Sequence, residues 1–191
     1  QGWGAPGKLK LENPANFGPS GIAKYGFRTV SIHPSVLTAE RLLDEGCDIF
    51  QIGADGSDSG GGSLGAGALT SAQTQELERW AGMSSEHTIL AFQNYIQGFG
   101  EYGPVTAGAT NPMVATELGA SFIQSGPFGD ASTFSQGGGW QGTLTGLDPD
   151  SCVLVQDSAY DHKPIFVIDR QYNSVFIADT GIVGQLGGMS E

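Results

Sequence analysis

The chain reads as one α/β domain, with a mainly parallel central sheet flanked by helices and an antiparallel hairpin at its C-terminal end. Three observations lead there. Between residues 27 and 93, apolar runs alternate with amphipathic segments in the order strand, helix, strand, helix, strand. Right-handed crossovers between such strands build a parallel sheet. The third run, Thr88-Ile-Leu-Ala-Phe-Gln93, is apolar almost throughout, as expected of a strand covered on both faces. Late in the chain, the runs 164–169 and 173–179 follow each other closely enough to form a hairpin.

Residues 1–26 are rich in glycine, proline and asparagine and show little periodicity. They predict an irregular arm anchored by Trp3, Leu9, Leu11 and Phe17, ahead of a domain spanning residues 27–191. Its first strand is expected at Phe27-Arg-Thr-Val-Ser-Ile-His33, a β-branched run stopped by Pro34. A helix is expected over 38–46, with Thr38 as N-cap, Leu42 and Leu43 as its apolar face and Gly46 as a left-handed stop. The second strand is Asp48-Ile-Phe-Gln-Ile-Gly53, followed by a glycine loop over 54–68. Thr70-Ser-Ala-Gln73 forms a capping box, and the helix it opens should bury Ala72, Leu77, Trp80 and Ala81 before Gly82 ends it.

The second half has a different texture. Residues 113–118 predict a short helix, whereas 121–146 are rich in glycine, dotted with Phe122, Phe128, Phe134 and Trp140, and carry little sign of regular structure. Strands resume at 151–156. No internal repeat is evident, and the glycine tracts are too short to link separate domains.

The 191 residues suffice to bury about 70% of the unfolded surface, so one core is enough. Twenty acids against eight bases leave a net charge of -12. That charge repels phosphate backbones and anionic lipid, which excludes nucleic acid and membrane surfaces as partners. No apolar run approaches the roughly 20 residues of a membrane span. No signal peptide stands at Gln1, so a processed chain or an excised piece is expected. Few lysines and acidic loops rich in Gly, Ser and Thr point to an extracellular or cell-surface location. Cys47 and Cys152 each open an apolar run and are expected to be buried; a disulfide and two inert thiols both fit.

Several motifs invite chemistry. Gly60-Gly-Gly62-Ser-Leu-Gly65 matches the dinucleotide pattern, but that mechanism needs a tight turn from strand into helix. Here the glycines stand well beyond Gly53, and Asp55 and Asp58 would repel phosphate, so a surface loop and no nucleotide cofactor are expected. Asp55-Gly-Ser-Asp58-Ser is the best cation candidate, offering hard oxygen ligands to Ca2+, although its spacing misses the EF-hand pattern. The acidic turns at 148–150 and 157–161 are weaker relatives that suit turn capping. His33, His87 and His162 share no metal-ligand spacing, and structural roles are expected for them. Neither Gly-x-Ser-x-Gly nor His-Glu-x-x-His occurs.

The order of elements resembles the class I glutamine amidotransferase-like fold, a flavodoxin-like arrangement, over roughly residues 27–184. The resemblance rests on the strand 48–53 with its glycine loop, the helix opened by Leu69-Thr70, the strand 88–92, and the closing runs 163–169 and 174–179. The hairpin made by those two closing runs is similar to the closing hairpin of such domains in bacterial exported proteins. Active members carry a cysteine in the elbow after the third strand and a His and Glu after a late strand. This chain has Ala91-Phe-Gln-Asn-Tyr-Ile96 and Ala178-Asp-Thr-Gly-Ile182 there.

The resemblance therefore implies a catalytically degenerate member, a pseudoenzyme, without nucleophile or base for thioester chemistry. Its crevice, lined by Gln93, Asn94 and Asp179 at the strand ends, would bind a polar ligand. The function expected is a non-catalytic exported binding or structural module, stabilised by calcium through Asp55 and Asp58, with a protein or glycan partner at the cell surface. Two alternatives stand beside it. One is a hydrolase using paired carboxylates such as Asp55 and Asp179. The other is a structural subunit of an extracellular assembly, packing its aromatic stretch from Phe122 to Trp140 on a neighbour.

Overall fold

A computed structural model describes residues 14–52, 69–92, 99, 101–105, 112–123, 133–135, 141–157, 162–171 and 173–178. The protein is α/β, with three α-helices among the described residues: α1 (Ala39–Asp44), α2 (Ser71–Ala81) and α3 (Glu117–Ile123). Its strands are β1 (Ile49–Ile52), β2 (Thr88–Phe92), β3 (Glu101–Val105), β4 (Pro112–Ala115), β5 (Thr133–Ser135), β6 (Gln141–Thr145), β7 (Cys152–Asp157), β8 (Pro164–Asp169) and β9 (Ser174–Ile177). Seven of them form one sheet in the order β1-β2-β9-β8-β7-β4-β5, while β3 and β6 pair separately as an antiparallel ribbon.

The expected mainly parallel sheet is not what forms: the sheet is mixed and mostly antiparallel. Only β1/β2 and β2/β9 run parallel, while β9/β8, β8/β7, β7/β4 and β4/β5 are antiparallel. The physical reason lies in the connections. A parallel pair needs a crossover of about a dozen residues or more, which α2 supplies between β1 and β2. The links between Asp157 and Pro164 and between Asp169 and Ser174 are far shorter, so they turn the chain back on itself. The expected hairpin between β8 and β9 is present, in the register Phe166 with Ile177 through Asp169 with Ser174.

The local signals of the first helices hold. The Thr38 side chain accepts from Arg41 N, and Gly46 takes the left-handed conformation (φ 62°) just past α1. Thr70 and Gln73 close a reciprocal capping box on α2. Leu77, Trp80 and Ala81 are buried as expected, but Ala72 faces solvent and Thr74 takes the inward position. Of the two α1 leucines, Leu42 is buried and Leu43 exposed. Full burial of Leu42 and Leu77 contributes roughly 1.5–3 kcal/mol each.

Three other expectations are corrected. Residues 27–33 form no strand; they run largely exposed into a 3-10 turn at Pro34–Val36, held instead by contacts of Phe27 with Phe17, of Arg28 with Glu45 O and of Ile32 with the core. Residues 113–118 are not one helix. They contain the end of β4, then Thr116, whose hydroxyl accepts from Gly119 N and donates to Val153 O, so that α3 starts only at Glu117. A Cβ on Gly119 would stand 1.8 Å from Leu154 O, so only glycine lets α3 lie this close to β7. The stretch 121–146, expected to be irregular, supplies the end of α3, β5 and all of β6.

Cys47 and Cys152 are half-buried free thiols. They open strands four positions apart in the sheet, about 19 Å at the usual strand spacing, well beyond disulfide reach. Burial, reinforced by the carboxylate of Glu45, pushes the Cys47 thiol up.

Helices α1 and α2 are clamped by charge. Arg79 of α2 forks onto both oxygens of Glu40 in α1 at 2.7 Å and onto Glu76 at 2.7 Å, and Glu76 accepts from Ala39 N at the start of α1. The Arg79 guanidinium holds Glu40 at about 2 against its usual 4.5 and lowers Glu76 as well. A depressed carboxylate contributes stability above its unfolded value and loses it as pH falls towards the folded one. Wild-type protein should therefore lose stability between pH 4.5 and about 2. Thermal midpoints across that window should fall less steeply for Arg79→Met, and salt should narrow the difference because the groups are exposed.

Candidate functional site

Strand direction decides which side chains share an edge. Strands β1, β2 and β9 run parallel, and their ends are in register: Ile52 lies beside Ala91, and Phe92 beside Ile177. Two antiparallel steps, β9 to β8 and β8 to β7, restore the same direction in β7. The carboxyl ends of four strands, Ile52, Phe92, Ile177 and Asp157, thus lie along one edge of the sheet. In sheets with parallel strands, this is where ligands meet the protein.

Gln93 and Asn94 follow Phe92 directly, Asp179 follows Ala178, and Asp55 and Asp58 come shortly after Ile52. All five lie outside the described residues. The described strands bring their points of departure to one edge: β2 and β9 are hydrogen-bonded neighbours and β1 is next to β2. The side chains of Phe122, Phe128, Phe134 and Trp140 are also outside what is described, although the backbone at Phe134 pairs with Met113.

The described chemistry at this edge centres on Asp157, which is fully buried. Its Oδ2 accepts from Lys163 N at 2.8 Å, and its own N–H donates to Lys163 O at 3.0 Å. The carboxylate therefore closes the β7–β8 connection, with Ala178 N donating to Ile165 O alongside. His162 adopts a left-handed conformation (φ 56°) there, and Gln156 Nε2 donates to its Nδ1 at 3.2 Å. That contact selects the tautomer with the proton on Nε2. Behind the edge, Phe99 packs on Phe176 with ring centres 6.0 Å apart.

The opposite edge is closed by short turns. Asn173 (φ 47°) donates through its amide to His87 O, while its own carbonyl accepts from Ile89 N. Ser151 Oγ donates to the buried Asp169 at 3.0 Å. His87 stacks on Trp80 with ring centres 4.5 Å apart and donates from Nδ1 to Trp80 O at 2.7 Å. The Trp80 indole N–H is buried with no acceptor among the described residues, so packing and stacking must offset its desolvation. His33 accepts from Ser35 N, capping the 3-10 turn. Each histidine thus meets a structural partner: His33 within its own turn, His87 at the end of α2 and His162 on β7.

The turn capping expected of the acidic stretch 157–161 is met at Asp157, whereas Asp169 was not singled out in the sequence. Each ends an apolar strand just before a turn, and that position was the available signal. Among the described residues, no group of three or more His, Cys, Asp or Glu could hold a metal ion, and no helix is long and apolar enough to cross a membrane. No protein-family model matches the chain, and no curated protein matches it.

Since Oδ2 of Asp157 serves as an acceptor, an amide can replace it in part and a methyl cannot. Denaturant unfolding should show Asp157→Ala destabilised by about 2 kcal/mol and Asp157→Asn by less than half of that.

Proposed function

We propose that this chain is a non-catalytic, exported binding module that engages a polar protein or glycan ligand at the carboxyl edge of its sheet. The observation that carries the reading is the shared direction of β1, β2, β9 and β7, which starts the segments bearing Gln93, Asn94, Asp179, Asp55 and Asp58 from one edge. Amides and carboxylates there can orient hydroxyl-rich or peptide ligands by hydrogen bonding. The amidotransferase-like resemblance belongs to the same proposal. It is supported by the parallel β1–α2–β2 unit and the closing β8–β9 hairpin, with no Cys, His or Glu in 91–96 or 178–182 to run thioester chemistry.

Export is supported by the acidic, lysine-poor composition. Calcium at Asp55 and Asp58 fits the same setting, because a cation relieves the self-repulsion of a chain at -12.

The test uses three chains: wild type, Gln93→Ala/Asn94→Ala/Asp179→Asn, and Asp55→Asn/Asp58→Asn. On an array of extracellular glycans and matrix proteins, wild type should bind, and the first variant should lose at least about tenfold in affinity with its melting midpoint unchanged. Calcium should raise the wild-type midpoint by a few degrees and leave that of the second variant in place. Turnover of a glutamine or ester substrate, abolished by Asn94→Ala, would overturn the non-catalytic reading. A wild-type midpoint indifferent to calcium would remove the ion from it.

A further inference from the structure

The charge of this chain is unevenly distributed. Residues 1–38 hold four bases, Lys8, Lys10, Lys24 and Arg28, against the single acid Glu12, a net of +3. Residues 39–191 hold four bases against nineteen acids, a net of -15. In that acidic body Arg41 is bound to Glu45, and Arg79 to Glu40 and Glu76. The bases of the described arm are placed differently. Lys24 donates to Gly21 O and Arg28 to Glu45 O, and among the described residues neither meets a carboxylate.

The same arm carries apolar surface. Tyr25 is 73% exposed and Phe27 and Val30 are 37% exposed, all within a run of strand-forming residues that the sheet does not take up. Local contacts hold it: Ala23 N donates to Asn16 O, Phe17 meets Phe27 edge-on at 5.0 Å, and Ile32 packs against the core. A held segment that is both apolar and cationic loses little entropy on docking.

We propose that the arm around residues 24–30 of one copy docks on the acidic body of a second copy. The body's net charge of -15 is complementary to the arm, whereas body-to-body contact would be repulsive. Arm-to-arm pairing would bring Lys24 and Arg28 of both copies together, so the contact is arm to body. Two such contacts, exchanged reciprocally, close a two-fold dimer in which Tyr25 and Val30 are covered. This inference is independent of the ligand edge.

Sedimentation at about 0.1 mM protein should show twice the monomer mass at about 0.05 M salt and the monomer at about 0.5 M, where screening shortens the Debye length to a few ångströms. Lys24→Glu/Arg28→Glu should be monomeric at both salts and still unfold cooperatively, its melting midpoint lowered by a few degrees at most through loss of the Arg28 bond to Glu45 O. Tyr25→Ser/Val30→Ser, which leaves the Phe17–Phe27 contact in place, should weaken association at least about tenfold. Carbodiimide coupling in a mixture of isotopically light and heavy chains should join Lys24 to a carboxylate beyond residue 38 of the other copy. A wild-type monomer at low salt, or a charge-reversed variant that still dimerises, would overturn the proposal.

Discussion

The parallel seating of β2 between β1 and β9 is the constraint on which the rest of the structure depends. Ile89, Ala91 and Phe92 are buried at 0–1% exposure, and the residues they face in register, Ser174, Phe176 and Ile177, are buried in turn. Because β2 is reached through α2, the crossover also brings Leu77 and Trp80 over the sheet, where they are fully buried. Because β9 is reached by two tight reversals through β7 and β8, its direction is inherited from the hairpins. One strand therefore joins a local βαβ unit to an antiparallel meander, and their carboxyl ends meet along one edge.

Charge is used in two ways. Inside the fold, carboxylates act as hydrogen-bond acceptors for backbone and side-chain donors: Glu76 for Ala39 N, Asp157 for Lys163 N, Asp169 for the Ser151 hydroxyl. These are jobs that acids at helix starts and strand ends do well, since an ionised oxygen accepts more strongly than a neutral one. The remaining acids give the body its field. The bases are few, and the two that form described ion pairs both tie down α1 or its junction with α2.

Signals confined to a few residues could be read directly from the chain. Thr38, Thr70 with Gln73, and Gly46 mark helix ends through bonds to near neighbours, and the β8–β9 hairpin follows from the short link between two apolar runs. The pairing of β2 with β9 joins residues more than 80 positions apart, for example Ile89 with Ser174, and no local pattern encodes it. Phe27-Arg-Thr-Val-Ser-Ile-His33, rich in strand-forming residues, is likewise left outside the sheet, although the outer edge of β1 has no partner among the described strands. The short strands β4, β5 and β6 were obscured by glycine and by runs too brief to show alternation. At the site, the strand ends that carry Gln93, Asn94 and Asp179 were legible. So was turn capping by Asp157, although its partner, the backbone of Lys163 across the turn, was not.

The parallel seating of β2 can be checked most directly by interstrand nuclear Overhauser contacts in solution. Parallel neighbours give amide-to-Hα contacts between strands but no close Hα–Hα pairs, which belong to antiparallel ladders. Amide-to-Hα contacts should join β2 to β9 along the register Ile89–Ser174 to Phe92–Ile177, and β2 to β1 from Thr88–Ile49 to Ala91–Ile52. Strong Hα–Hα contacts between β2 and β9, or none between them at all, would contradict that seating.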